Sequence, residues 1–345
     1  RDSAMRFTEL TGTVNMTNTD IAGGLFSNLE SINTAGTLNA TLTSVDSLAM
    51  NQNNGASNTV MFEALGSATN NVTYQNGSIT SARGSLFHYI GDGTGGGALV
   101  LKNNNLVNGN PLANQSTGGG GISAVAGATG PATMDISDNT IGGVKTNALT
   151  ILKSHDIGGA SGSFSGTINN NDIGVAATAN SGSSEGDGME ITNEGTGNMT
   201  VAVTNNDIRQ YNSSGIQFVA GAGIASSGQF NLNVSGNSIG NPGTNPSITL
   251  LQGIRIDSGV TSGDTFQTCA NFGANSITGS SDAANKDFRL VVNQSTNIRL
   301  PGYGGGATDG TAVATFVAGK IGSGAQGTAV ANSPGTFSGT GTTCP

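Results

Sequence analysis

Apolar and polar residues alternate in short runs along most of this chain, and the runs return at a near-fixed distance. One run is an apolar residue, two polar or small residues, an Asn, another polar residue, then Ile or Leu. It reads Leu101-Lys-Asn-Asn104-Asn-Leu106, Ile136-Ser-Asp-Asn139-Thr-Ile141 and Ile168-Asn-Asn-Asn171-Asp-Ile173. It continues as Val203-Thr-Asn-Asn206-Asp-Ile208, Val234-Ser-Gly-Asn237-Ser-Ile239 and Phe272-Gly-Ala-Asn275-Ser-Ile277. Successive Asn residues are 35, 32, 35, 31 and 38 positions apart, and Met16 to Ile21 and Tyr74 to Ile79 read as degenerate copies. Between copies lies a second run, a small or polar residue followed by strict alternation, as in Gly188-Met189-Glu-Ile191, Gly215-Ile216-Gln-Phe218 and Gly253-Ile254-Arg-Ile256. A third precedes each Asn, as in Met199-Thr-Val201-Ala-Val203.

Alternation with a period of two is the pattern of a half-buried strand. A unit of 31 to 38 residues with three such strands and no helical period predicts one coil of a β-solenoid, with Ile, Val, Leu and Phe stacked inward from coil to coil. The expected fold is therefore all-β, a parallel β-helix (β-solenoid) with three short strands per coil. The Asn at the corner has two physical reasons to recur. Asn tolerates the left-handed backbone that a sharp corner needs, and stacked Asn amides can bond to one another as a ladder. Asn104, Asn139, Asn171, Asn206, Asn237 and Asn275 are the expected ladder.

Composition changes the picture in two ways. Gly is 56 of 345 residues and charged residues are 10%, which alone suggests low complexity, but 35% apolar residues in alternating order argue for a punctuated β fold. The net charge is −9 and the 12 Lys and Arg are scattered, so there is no basic patch for nucleic acid. No apolar run is long enough to span a bilayer. The two cysteines, Cys269 and Cys344, lie far from any His and form no CxxC. They read as a disulfide tying the C-terminal region back to the body, which places the chain in an oxidising, extracellular or cell-surface setting. Arg1 opens the chain without a leader, which reads as a processed protein or part of a longer one.

On these residues, positions 80 to 300 resemble right-handed parallel β-helix proteins of the pectate-lyase-like superfold, shared by polysaccharide lyases, phage tailspikes and adhesin passengers. Lys286-Asp-Phe-Arg-Leu290 followed by Asn297-Ile-Arg-Leu-Pro-Gly-Tyr303 resembles C-terminal regions of large bacterial β-strand-repeat surface proteins. The resemblance implies a right-handed coil and leaves activity open, because this fold hosts many functions. Three regions follow. Residues 1 to 80 are irregular N-terminal coils, 80 to 300 the regular helix, and 300 to 345 a C-terminal cap in which Ala312 to Val317 fits a short helix or a strand.

Candidate chemistry is thin. β-Helices that cleave polysaccharides use carboxylates in pairs on one coil face, and the best acidic cluster is Glu185, Asp187, Glu190 and Glu194. Alternation turns Glu190 outward, and Gln217, Arg255 and Arg289 take its place in later coils, giving one outward column that could bind a glycan. The alternative reading of this column is a solvated face whose charges pair with each other. Asp172 and Asp207 follow the ladder Asn in adjacent copies and are a weak Ca²⁺ candidate; no other cofactor or metal is expected. His88 and His155 belong to no nucleophile motif. Gly91 to Gly97 and Gly118 to Gly121 lack the Lys-Ser/Thr of a phosphate cradle. Nine Asn-X-Ser/Thr triplets are close to chance in so Asn- and Thr-rich a chain. The leading functional expectation is a non-enzymatic extracellular structural module of a bacterial surface adhesin or fibre. It would join a second protomer or flanking domains through the coil ends. The alternative is a carbohydrate-active or carbohydrate-binding β-helix using Glu190, Gln217, Arg255 and Arg289.

Overall fold

The computed structural model describes residues 3–49, 58–109, 119–127, 129–153, 161–222, 225–245, 252–279, 287–322, 324–339, 341 and 343–344. His155 lies outside them.

Among these residues the chain is all-β apart from one helix, and the strands pair in parallel in two long stacked sheets. The first sheet has 11 strands, each hydrogen-bonded to the corresponding strand of the next repeat. The second has 18 strands and carries two files, one of longer strands and one of two- or three-residue strands that follow the Asn corner. This arrangement is compatible with a solenoid-like fold. Parallel neighbours cannot be joined by a tight hairpin, so the repeat length is what a parallel stack of short strands demands.

Register places like on like. In the first sheet Leu149, Met189, Ile216, Ile254 and Phe288 are successive partners. In the short file Leu106, Ile141, Ile173, Ile208, Ile239 and Ile277 are stacked in the same way. Nearly all of these side chains are buried in one continuous apolar core, and each fully buried one contributes roughly 1.5–3 kcal/mol. The glycine that leads the alternation in several first-sheet strands has a steric cause. A Cβ on Gly188 would lie 2.5 Å from Ile208 Cγ2, and one on Gly215 would lie 2.4 Å from Ile239 Cγ2. The Ile of the short file already fills that space.

The first two layers belong to the same stack. Strands β1 (Met5–Thr8) and β2 (Gly12–Ile21) pair with β3 (Leu29–Asn33) and β4 (Thr37–Ser47), and β2 and β4 each run through both files without a break. Met16 to Ile21 and Tyr74 to Ile79 lie in register with the regular copies, and so does Leu42 to Ser47, which the sequence pattern missed. Among the described residues β1 and β2 have paired neighbours on one side only. Behind them Phe7, Leu10, Val14 and Met16 line an apolar concavity with Leu29, Leu38 and Phe62.

The other end is built differently. Helix α1 (Gly310–Ile321) starts at Asp309, whose carboxylate accepts from Ala312 N at 2.9 Å, an N-cap bond. Its Val313, Val317 and Ile321, at helical spacing, are buried in the core. The segment that fitted either a helix or a strand is thus a helix. After it, Gly327–Ala331 pairs with Phe288–Val292 and Thr336–Ser338 with Asn297–Arg299, adding one more layer of strands. Cys269 and Cys344 form a disulfide with Cα atoms 5.6 Å apart. Among the described residues no helix is long and apolar enough to cross a membrane.

Candidate functional site

The most regular feature of the molecule is a buried chain of amides. Asn104 Nδ2 donates to Asn139 Oδ1 at 2.9 Å, Asn139 to Asn171 at 3.0 Å, and Asn171 to Asn206, Asn206 to Asn237 and Asn237 to Asn275 at 2.9 Å each. Each acceptor oxygen also takes the backbone N–H of the preceding Asn, as Asn171 Oδ1 takes Asn139 N at 3.1 Å. The second amide proton goes to a strand carbonyl of the previous layer, such as Ile136 O for Asn171. Every polar atom of an interior Asn is therefore used, which is the condition for burying an amide without loss. The chain ends at defined groups. Asn104 Oδ1 accepts from Gly77 N at 3.0 Å, and Tyr74 occupies the layer below, its hydroxyl donating to Val45 O at 2.6 Å. At the far end Asn275 N donates to Ile321 O, the last residue of α1, at 2.7 Å.

The corner conformation belongs to a different residue from the one the sequence suggested. The left-handed residues are Asn103, Asp138, Asn170 and Asn205, with φ of 55°, 60°, 55° and 56°, and Gly236 with φ of 71°. Each sits one position before a ladder Asn, and Asn18, Ser44 and Asn76 continue the row through the earlier layers. The ladder Asn is retained for its hydrogen bonds; its neighbour makes the bend. Some of the neighbours pair on the outside, Asn103 Nδ2 to Asn76 Oδ1 at 2.8 Å and Asn170 Nδ2 to Asp138 Oδ1 at 2.7 Å.

Register places Glu190, Gln217, Arg255 and Arg289 in one outward, half-buried column of the first sheet. Two members are engaged. Asn147 Nδ2 donates to Glu190 Oε2 at 2.5 Å, and Arg255 Nε lies 2.6 Å from Asp257 Oδ2. Gln217 and Arg289 have no side-chain partner among the described residues. Burial pushes the Glu190 carboxyl above its ordinary value, Asn147 opposes this, and Glu194 adds to it. Asp187 is 5% exposed. Its Oδ1 accepts from Ser214 N at 2.5 Å, and burial pushes its carboxyl up to about 6 against the hydrogen bonds from Ser213 and Ser214. Asn147, which the sequence reading passed over, also accepts from Asp187 N at 2.8 Å. Asp187 and Asn147 thus tie neighbouring layers together. Raised carboxyls in a cleft would suggest acid–base work, but Asp187 is sealed by backbone donors and Glu190 by an amide. Glu185 is held by Lys145 at 3.7 Å.

Asp172 and Asp207 are direct partners in the short file. The positive charge that meets them is Arg209, whose Nη1 is 2.9 Å from Asp172 Oδ1 and whose Nη2 contacts Asp207 Oδ2. The guanidinium offsets one of the two like charges. Among the described residues no group of three or more His, Cys, Asp and Glu is placed to hold a metal.

Two further buried ionisable groups lie apart from this column's engaged members. Lys153 is fully buried and donates to Glu194 O at 3.0 Å, with its ammonium pushed down to about 8 by burial. The alternation Leu149-Thr-Ile151-Leu-Lys153 turns it inward, a signal present in the sequence but not used. His88 stands in the outward column two layers before Thr150, and burial holds its imidazole down at about 4.

No family model, curated protein or solved structure matches the chain.

Proposed function

We propose that the chain is a right-handed parallel β-helix with three short strands per coil. In this reading it is a non-enzymatic extracellular structural module of a bacterial surface adhesin or fibre, joined to a second copy through its N-terminal edge. The observation that carries the reading is the inequality of the two ends. At one end α1 buries three side chains against the core and a disulfide ties the tail to the body. At the other, among the described residues, β1 and β2 have paired neighbours on one side only, over half-buried Phe7, Val14 and Met16. Unpaired strand edges above apolar surface are templates for strand addition.

A second copy is the occupant that fits. Of the exposed side chains of β2, Thr13, Asn15, Thr17 and Asn18 are uncharged and Asp20 carries the one charge, near the strand's end, so two such edges meet over a mostly uncharged surface. The pairing proposed is isologous, N-terminal edge to N-terminal edge, an arrangement that closes on two copies. The disulfide supports an oxidising compartment.

The experiment is sizing by light scattering across micromolar to millimolar concentration, on the wild type and on Asn15→Lys/Thr17→Lys. These exposed lysines leave the core untouched and guard the edge as natural edge charges do. A wild-type dimer that the double variant abolishes supports the reading, and a wild type that is monomeric throughout rejects the joining role.

The raised carboxyls of Asp187 and Glu190 favour one second reading, a carbohydrate-active column with Gln217, Arg255 and Arg289. It predicts depolymerisation of an acidic or neutral glycan that Glu190→Ala eliminates.

A further inference from the structure

Two polar groups stand side by side in a buried column of the first sheet that small residues otherwise fill. The strands Leu149–Lys153 and Met189–Asn193 pair in parallel, and register sets Lys153 directly against Asn193. Ala126 is the neighbour in the layer before them and Ala220 in the layer after. All four side chains are fully buried.

Lys153 lies along the backbone of the next layer. Its carbonyl accepts from Glu194 N at 3.0 Å, and its ammonium donates to Glu194 O at 3.0 Å. A Cβ on Gly197 would come within 2.9 Å of Lys153 Cε, so glycine there leaves room for the lysine stem. The side chain thus crosses the one layer spacing, about 4.8 Å, that separates it from Asn193. The Asn193 amide is held at one end only. Its Nδ2 donates to Gln229 O at 2.9 Å, while its buried Oδ1 has no hydrogen-bond partner among the described residues. The Glu194 carboxylate, also buried, is near enough to favour the charged lysine against the effect of burial.

A buried ammonium and an unbonded buried carbonyl each cost free energy, and alanine fits the same column in the layers on either side. Joining the two groups removes the charge. Burial pushes the Lys153 ammonium down to about 8, which brings a neutral, nucleophilic amine within reach of ordinary pH. Register fixes the two residues as neighbours, so the reaction is intramolecular and gains from proximity.

We propose that Lys153 and Asn193 condense spontaneously into a side-chain amide bond that staples two neighbouring layers. The lone pair of the neutral Nζ attacks Asn193 Cγ, a Nζ–Cγ bond forms, the Cγ–Nδ2 bond breaks, and Nδ2 leaves as ammonia. The proton that Nζ gives up reaches the departing nitrogen through the Glu194 carboxylate, which returns to its starting state. No oxidant or cofactor is consumed. The bond is independent of the joining role of the N-terminal edge and of the Glu190 column.

The test is intact-mass and tandem mass spectrometry of the full folded chain. The expected mass lies below the sequence mass by one ammonia, in addition to the two hydrogens lost to the disulfide. A digest should yield a branched peptide joining Lys153 to Asn193, with no tryptic cut after Lys153. A succinimide at an Asn-Gly pair such as Asn76-Gly77 loses the same mass but gives no branch. Lys153→Met and Asn193→Ala should each abolish the ammonia loss. Asn193→Asp, nearly isosteric, is the check should either fold poorly by circular dichroism, because it can lose water there but not ammonia. Glu194→Gln should slow bond formation after refolding by about a hundredfold or more. A folded wild type without the ammonia loss overturns the inference. So does a loss that persists in Lys153→Met, or a branch that joins other residues. A wild-type rate in Glu194→Gln contradicts the proton path.

Discussion

At the scale of single residues, two adjacent asparagines divide the work of one corner. Asn170 takes the left-handed backbone, and Asn171 uses both ends of its amide inside. Their substitutions should therefore diverge. Asn171→Ala leaves the Asn139 and Asn206 amides and Ile136 O short of partners, and should cost about 3 kcal/mol or more in chemical denaturation. Asn171→Gly should be no better. Asn170→Ala should cost about 1–2 kcal/mol for its forced left-handed φ, and Asn170→Gly close to nothing. Equal costs for both alanine variants would remove the distinction. The sequence could not make it, because Asn stands at both positions in three of the copies, Asn103-Asn104, Asn170-Asn171 and Asn205-Asn206. The copy with Gly236 before Asn237 held the clue, since Gly is the residue expected where φ is positive.

His88 gives a pH prediction of known sign. Its pKa is lower folded, about 4, than its ordinary 6.5, so the unfolded chain binds the extra proton between these values. Its contribution to stability is complete above pH 6.5 and is lost as pH falls toward 4, amounting to at most about 3 kcal/mol. Asp187 acts in the opposite sense, since its raised pKa stabilises the fold as pH falls through about 6. Comparing wild type with His88→Gln across this range isolates the first effect. The wild type should lose stability relative to the variant on acidification, and a constant difference would contradict the buried neutral imidazole.

At the scale of elements, the strands with strict alternation were legible throughout, including the register that aligns Glu190, Gln217, Arg255 and Arg289. Leu42 to Ser47 was not, because Val45 stands at the ladder position and Ser47 at the place of the inward Ile. Helix α1 was ambiguous for a related reason. Within Ala312 to Val317 small Ala residues satisfy a period of two as easily as one of 3.6, and only the longer spacing of Val313, Val317 and Ile321 decides. The closing elements can be tested separately. Asp309→Ala should cost about 1 kcal/mol through the lost N-cap. Cys344→Ser opens a link between residues 75 positions apart, worth up to about 4 kcal/mol by loop entropy. Limited proteolysis should then cut first in the C-terminal layer. Cleavage that begins instead in the central layers would show that the disulfide does not guard this end.

At the scale of the whole molecule, the buried amide chain and the stacked Ile file make the stack uniform along its length, while the two ends are chemically unlike. The C-terminal end joins the amide chain to the last carbonyl of α1, through Asn275 and Ile321. The N-terminal end has no equivalent among the described residues, and β2 presents ten residues of strand with a free edge. Neither the Glu190 column nor the Asp172–Asp207 pair supplies a free, facing pair of carboxylates, since Asn147, Asp257 and Arg209 engage their members. The most direct measurement is sedimentation equilibrium of the wild type and of Asn15→Lys/Thr17→Lys across micromolar to millimolar concentration. The account predicts a reversible dimer for the wild type, no larger species, and a monomer for the double variant. A wild type that stays monomeric, or a dimer that the two lysines leave intact, would contradict it.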